Sequence, residues 1–121
     1  MAYDQAAYGQ EAIQLSKNIL AGAAYTTRKV TILSGQVLVA GTSIGKITIG
    51  GKYKLSATAN GDGSEAVDFF TATDVDASGG DKEAIVYETA HLSGSALTLG
   101  AGHTIASIRE GLRVKGIVIS D

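Results

Sequence analysis

Regular alternation of apolar and polar residues begins at Lys29. Val30 and Ile32 alternate with Lys29, Thr31 and, further on, Ser34, the period of a half-buried strand. Residues 37–39 form a short apolar run. Farther along, Ile47 and Ile49 face one way while Lys46 and Thr48 face the other; after Gly50-Gly51, Tyr53 and Leu55 alternate with Lys52 and Lys54. Two alternating runs on either side of a Gly-Gly pair predict a hairpin with a two-residue turn, whose central positions need positive φ. The sequence NGDGSE (residues 60–65) reads as a turn leading into residues 66–73. Likewise ASGGDKE (residues 77–83) leads into a strand over residues 84–87. Helical spacing is clean only near the end. Thr104 is the predicted N-cap, and Ile105, Ile108 and Leu112 fall at i, i+3 and i+7. Gly111 inside that helix costs roughly 1 kcal/mol relative to Ala. Gly116 is predicted to close it, with residues 117–119 as a final buried strand.

Ahead of residue 28 the pattern is different. The segment is rich in Ala, Gln and Tyr, and its sizeable aliphatic residues, Ile13, Leu15, Ile19 and Leu20, fit no 3.6-residue stripe. A helix over residues 10–20 and a short extended piece around Ile13 and Leu15 both stay open. So do a frayed terminus and an arm that orders on a partner. The expected organisation is therefore a flexible N-terminal arm, residues 1–27, and a β-rich domain, residues 28–121. The expected fold class is mostly β (α+β): a compact domain with tight glycine turns and one short C-terminal helix.

Composition narrows the function classes. The 121 residues suit one domain, and 45% of them are hydrophobic but mostly small, with two Phe, five Tyr and no Trp. Sixteen glycines without a proline favour tight turns over a stiff linker. The net charge is −2 and the longest basic cluster is the pair Arg28-Lys29, so the basic footprint of a nucleic-acid binder is missing. With no cysteine there is no disulfide, Fe–S cluster or thiolate zinc site, which fits synthesis in a reducing cytoplasm. The opening MAYDQAAYGQ has no basic n-region, and the longest near-apolar run, residues 19–25, is too short to span a bilayer. The expectation is a soluble protein, cytoplasmic when made, without membrane or nucleic-acid partners.

The chemical candidates fail on spacing. GTSIGKITIGGKYKL (residues 41–55) looks at first like a phosphate loop. However, Gly41 and Gly45-Lys46 are one residue too close, Ile47 stands where a hydroxyl should bind magnesium, and a hairpin follows instead of a helix. DVDASGGD (residues 74–81) imitates a calcium loop at Asp74, Asp76 and Ser78. Ile85 stands at the position of its bidentate glutamate, so a polar turn with backbone-bonded Asp side chains is the better reading, ahead of a weak cation site at Asp74 and Asp76. His91 and His103 are too few for a metal cage, and the carboxylates are spread over turns. No catalytic residue, cofactor, metal or small-molecule substrate is expected; the chain does not read as an enzyme.

Read as architecture, the glycine stretch becomes familiar. SGQVLVAGTSIGKITIGGKY (residues 34–53) resembles the pattern G-x-V-L-x-x-G-T-x-L-G-x-I-T-x-x-G-K-Y of the lambda-type head decoration proteins of tailed phages. ATDVDASGGDKEAIVYETAHLSGSAL (residues 72–97) is similar to that family's acidic turn and following strand, and EGLRVKGIVI (residues 110–119) to its terminal helix and strand. The resemblance covers about residues 28–120. Ile44 replaces the usual Leu, and Asp68-Phe69-Phe70 stands where many members have Gly-Ile-Leu.

The resemblance implies a non-enzymatic homotrimer, made in the host cytoplasm and carried on the outer surface of the virion. There it binds the major capsid protein at three-fold and quasi-three-fold sites of the expanded head and cements the shell against DNA pressure. It also implies an N-terminal arm that orders on the capsid by adding to a coat-protein strand. The capsid-contact candidates are then Ile13, Leu15, Ile19 and Leu20, alternate side chains of such a segment filling pockets. The alternative, from a different class, is a free-standing β-rich module that recognises a sugar or host surface. That role needs an exposed aromatic platform, and Tyr3, Tyr8 and Tyr25 lie in the arm.

Overall fold

Val30 and Ile32 take the inward positions of a strand, as their alternation with Lys29 and Thr31 predicts. In the computed structural model, which describes residues 19–22 and 24–120, they belong to β1 (Thr26–Ile32). β1 runs antiparallel to β7 (Lys82–Ser93) along its whole length, from Thr26↔Thr89 to Ile32↔Lys82, with a bulge between Thr26 and Thr27. At its far end Ile32 pairs in parallel with Tyr53 of β4 (Tyr53–Leu55), where Leu33 N–H donates to the Tyr53 carbonyl at 2.8 Å. β4 pairs with β3 (Ser43–Lys46), β3 with β5 (Phe69–Thr71), and β5 with β7, all antiparallel. The order β1-β4-β3-β5-β7 thus returns to β1, and five strands close into a small barrel. Closure gives each of these strands a neighbour on both sides and removes the open edges that invite association with other chains.

Further elements flank the barrel. β2 (Val37–Leu38) pairs with β6 (Val75–Asp76) as a separate two-stranded ribbon. β8 (Ile117–Ser120) runs parallel to the last four residues of β7, Ala90↔Ile117 through Ser93↔Ser120. Between them come a 3₁₀ turn at Gly94–Ala96 and the helix α1 (Ile105–Lys115). The helix starts and stops where its sequence says it should. Thr104 Oγ1 accepts from Ser107 N–H at 3.1 Å, Ser107 Oγ accepts from Thr104 N–H at 2.9 Å, and Gly116 ends the helix in the left-handed region at φ 100°. Ile108 and Leu112 are buried and Ile105 packs beside them.

The apolar residues gather in two clusters. One fills the barrel with Ile32, Ile44, Tyr53, Val75 and Val86; the other joins Phe70, Tyr87, Leu92, Leu112 and Ile117 under the helix and β8. β7 contributes to both. The small side chains that dominate the composition suit a barrel this narrow, whose interior is filled by side chains rather than left as a pore.

Two expectations need correction. The hairpin forms, but with a four-residue loop rather than two. The β3–β4 ladder runs to Lys46↔Tyr53, Ile47 N–H still donates to the Lys52 carbonyl at 2.8 Å, and residues 48–51 make the turn. Thr48 leaves the ladder because its N–H is drawn to the Asp62 carbonyl at 2.8 Å. Gly50 and Gly51 do have positive φ, 95° and 73°, and Ile49 sits on the tip, 89% exposed, instead of facing inward. The strand expected over residues 84–87 is three times as long as that, because its polar residues face outward from a ladder that continues to Ser93. β1 begins at Thr26, and packed structure extends back to Ile19.

Candidate functional site

A loop that cradles phosphate must offer free backbone N–H groups. In the glycine stretch they are already taken. Gly41 N–H donates to the Thr71 carbonyl at 2.8 Å, Thr42 N–H to Thr71 Oγ1 at 3.1 Å and Ser43 N–H to the Thr98 carbonyl at 2.9 Å. Ala40 N–H, just before them, donates to Asp74 Oδ1 at 2.8 Å. Gly45 is buried so tightly that a Cβ there would lie 2.3 Å from the Ser64 carbonyl oxygen. These glycines let strands approach one another.

The acidic turns are likewise satisfied from within. Asp76 Oδ1 accepts from both the N–H and the hydroxyl of Ser78, at 3.0 and 2.6 Å, and these bonds hold its carboxyl below the usual range. Asp81 pairs with Lys52 Nζ at 2.5 Å and accepts from Ser34 N–H at 2.9 Å; the lysine first, then the amide, lowers its pKa. Asp62 accepts from Ser64 and pairs with Lys54 at 3.0 Å, and the Ser64 hydroxyl is the largest cause of its lowered pKa. Asp74, the first residue of the calcium-like run, accepts from Ala40 instead. Among the described residues no group of three or more His, Asp or Glu could hold a metal ion.

The histidines are apart. His103 Nε2 lies 3.0 Å from Ser56 Oγ, at the mouth of a groove of about 490 Å³ along α1. Val67, Ile108 and Leu112 line that groove, and Lys115 on its rim ion-pairs with Asp68. His91 lies on β7, and its ring packs against Gly22. Ser56 is fully buried, so its hydrogen bond to His103 ties the turn before α1 to the barrel wall.

The four contact candidates divide sharply. Ile13 and Leu15 lie outside the described residues. Ile19 is 1% exposed and packed into the second apolar cluster, with Leu20 packed against it. Burial of this kind is worth about 1.5–3 kcal/mol for a side chain of its size. Its signal in the sequence is weak, since a lone Ile-Leu pair followed by Ala-Gly has no alternation to mark it. Among the described residues the large apolar side chains on the surface are Val37, Val39, Ile49, Val114 and Val118; all but Val114 belong to runs that the sequence pattern marks, and Val118, expected in a buried strand, is 42% exposed. Among the described residues no aromatic ring is exposed: Tyr25 stands edge-on to Tyr87 at 5.6 Å, and Tyr53 and Phe69 pack at 5.7 Å. The surface they form therefore lacks the platform that a sugar-binding module needs.

A family model described as bacteriophage lambda head decoration protein D matches residues 8–116, which takes in the closed barrel, β2, β6 and the helix. No curated protein matches the chain.

Proposed function

Since this chain belongs to the family of the bacteriophage lambda head decoration protein D, and is thus a structural protein of the phage capsid, we propose that it acts as a homotrimer on the outside of the expanded head. It binds the major capsid protein at three-fold and quasi-three-fold positions and holds neighbouring coat subunits together against the pressure of packaged DNA. The residues before Ile19, Ile13 and Leu15 among them, form an arm that adds to a strand of the coat protein, completing its backbone hydrogen bonds while alternate side chains fill pockets. The chain thereby divides into an arm and a β-rich domain. The family match across nearly the whole chain is the observation that supports this most strongly.

The physics needs no catalysis, and the protein acts as no enzyme. Each bound trimer stabilises the assembled shell by mass action, about 2.7 kcal/mol at a hundredfold excess over the dissociation constant. Three arms on one trimer act together, so engagement of the first raises the effective concentration of the others. Closure of the five barrel strands suits this work, because strands paired on both sides do not polymerise with neighbouring copies crowded on one shell.

Light scattering on the purified protein tests the assembly. The expected result is a single species at three times the 12.3 kDa chain mass. DNA-filled heads saturated with the protein should then rupture at a higher temperature than bare heads; equal rupture temperatures would remove the stabilising role.

A further inference from the structure

We propose that residues 19–22 anchor the arm to the barrel and fix how far it reaches, so that Ile19 is a positioning residue and not a coat contact. This rests on the assignment of the arm as the coat-binding segment.

The anchor is a short strand-like clamp on the second half of β7. Ser93 N–H donates to the Ile19 carbonyl at 2.7 Å, and Ala21 N–H donates to the His91 carbonyl at 2.8 Å. Leu20 and Leu92, paired antiparallel between these two bonds, form a non-hydrogen-bonded pair, the closer of the two antiparallel spacings. Ile19 plugs the apolar cluster beneath. Two glycines border the clamp. A Cβ on Gly41 would lie 3.4 Å from Ile19 Cδ1, and one on Gly22 would lie 3.1 Å from His91 Cβ. The clamp is therefore built into the packing on both sides of the chain.

Its consequence is a shorter tether. With residues 19–22 pinned, about four residues separate Leu15 from the fixed scaffold; with them free, about eleven separate it from β1. Effective concentration falls roughly as the −3/2 power of tether length, so unpinning lowers it about fivefold per arm, and about twentyfold for the two arms that bind after the first has engaged.

The test uses the full-length chain bound to expanded heads, with its release followed after dilution. Ile19→Ala should be released about twentyfold faster than the parent protein. The native chain has no cysteine, so Leu20→Cys/Leu92→Cys can be added to Ile19→Ala as a staple; once oxidised it should restore slow release, and a reductant should undo the rescue. Adding Ile13→Asp/Leu15→Asp to the parent chain and to Ile19→Ala should abolish the difference between the two. Release of Ile19→Ala as slow as the parent, or faster release that the oxidised staple fails to correct, overturns the anchor. If Ile13→Asp/Leu15→Asp is retained as well as the parent, the arm does not bind coat protein, and the assignment beneath the anchor fails first.

Discussion

Between Lys82 and Thr89, β7 is built into a closed ring, with β1 pairing residue by residue on one edge and β5 on the other. Between Ala90 and Ser93 the same strand is flanked by β8, which arrives from the helix, and by the clamp at residues 19–22. The first half is held by partners far away in sequence: Arg28 ion-pairs with Glu88 and lies over the Phe69 ring at 5.4 Å. The second half is held by two local devices, a capped helix and a glycine stop, and by one buried isoleucine that arrives from the other end of the chain. A ring has to form all of its ladders together or none, whereas the flanking pieces can open singly. The difference separates a scaffold from the fittings attached to it.

Breaking the ring should cost most. Ile44 is fully buried where β3 lines the barrel, and Ile44→Ala is expected to lower stability by about 2–5 kcal/mol in a single cooperative urea transition. Two separate transitions would mean that the halves unfold independently. Tyr87 stands where β7 passes from one half to the other. Among the described residues its buried hydroxyl has no hydrogen-bond partner, and burial, then the neighbouring Tyr25, pushes its pKa up to about 12. Tyr87→Phe removes that unpaired group and should stabilise the protein by about 1 kcal/mol in thermal or urea melts; a loss instead would reveal a partner for the hydroxyl. Thr104→Ala deletes the helix cap at a cost of about 1 kcal/mol. Hydrogen exchange should then quicken in α1 and β8 while the amides of β1 and β3 stay protected. Uniform quickening would contradict the division.

The smallest effect concerns pH. Asp81 ties Lys52, beside β4, to Ser34, beyond β1, and its folded pKa lies below the usual carboxylate value. Its contribution is present above about pH 4 and is lost as pH falls through the lowered value. Asp81→Asn should therefore flatten the acid side of the stability curve in melts between about pH 5 and pH 2, and leave the helix half unaffected. An unchanged acid limb would remove Asp81 from the seam.

These contrasts also explain what the sequence could reveal. The fittings were legible because their rules are local: Thr104 with Ser107, Ile108 with Leu112, Gly116 before the final strand. β1 was legible by its alternation and the hairpin by its paired glycines, although the pull of Asp62 on Thr48 widened the turn. Ring closure was not, because nothing in residues 26–32 names residues 82–89 as their partner. The full length of β7 was hidden by Glu88 and Thr89, which are tolerated in a strand whose neighbours are supplied from elsewhere. Ile19 was hidden for the same reason. Its socket is made by Gly41 and β7, and only the fold brings them together.

Co-sedimentation of the purified chain with capsids tests the decorating role most directly, using expanded heads and compact procapsids of its own phage in parallel. The protein should pellet with expanded heads up to a saturating stoichiometry and remain in the supernatant with procapsids. Failure to pellet with expanded heads, at concentrations where the protein is folded and assembled, would contradict it.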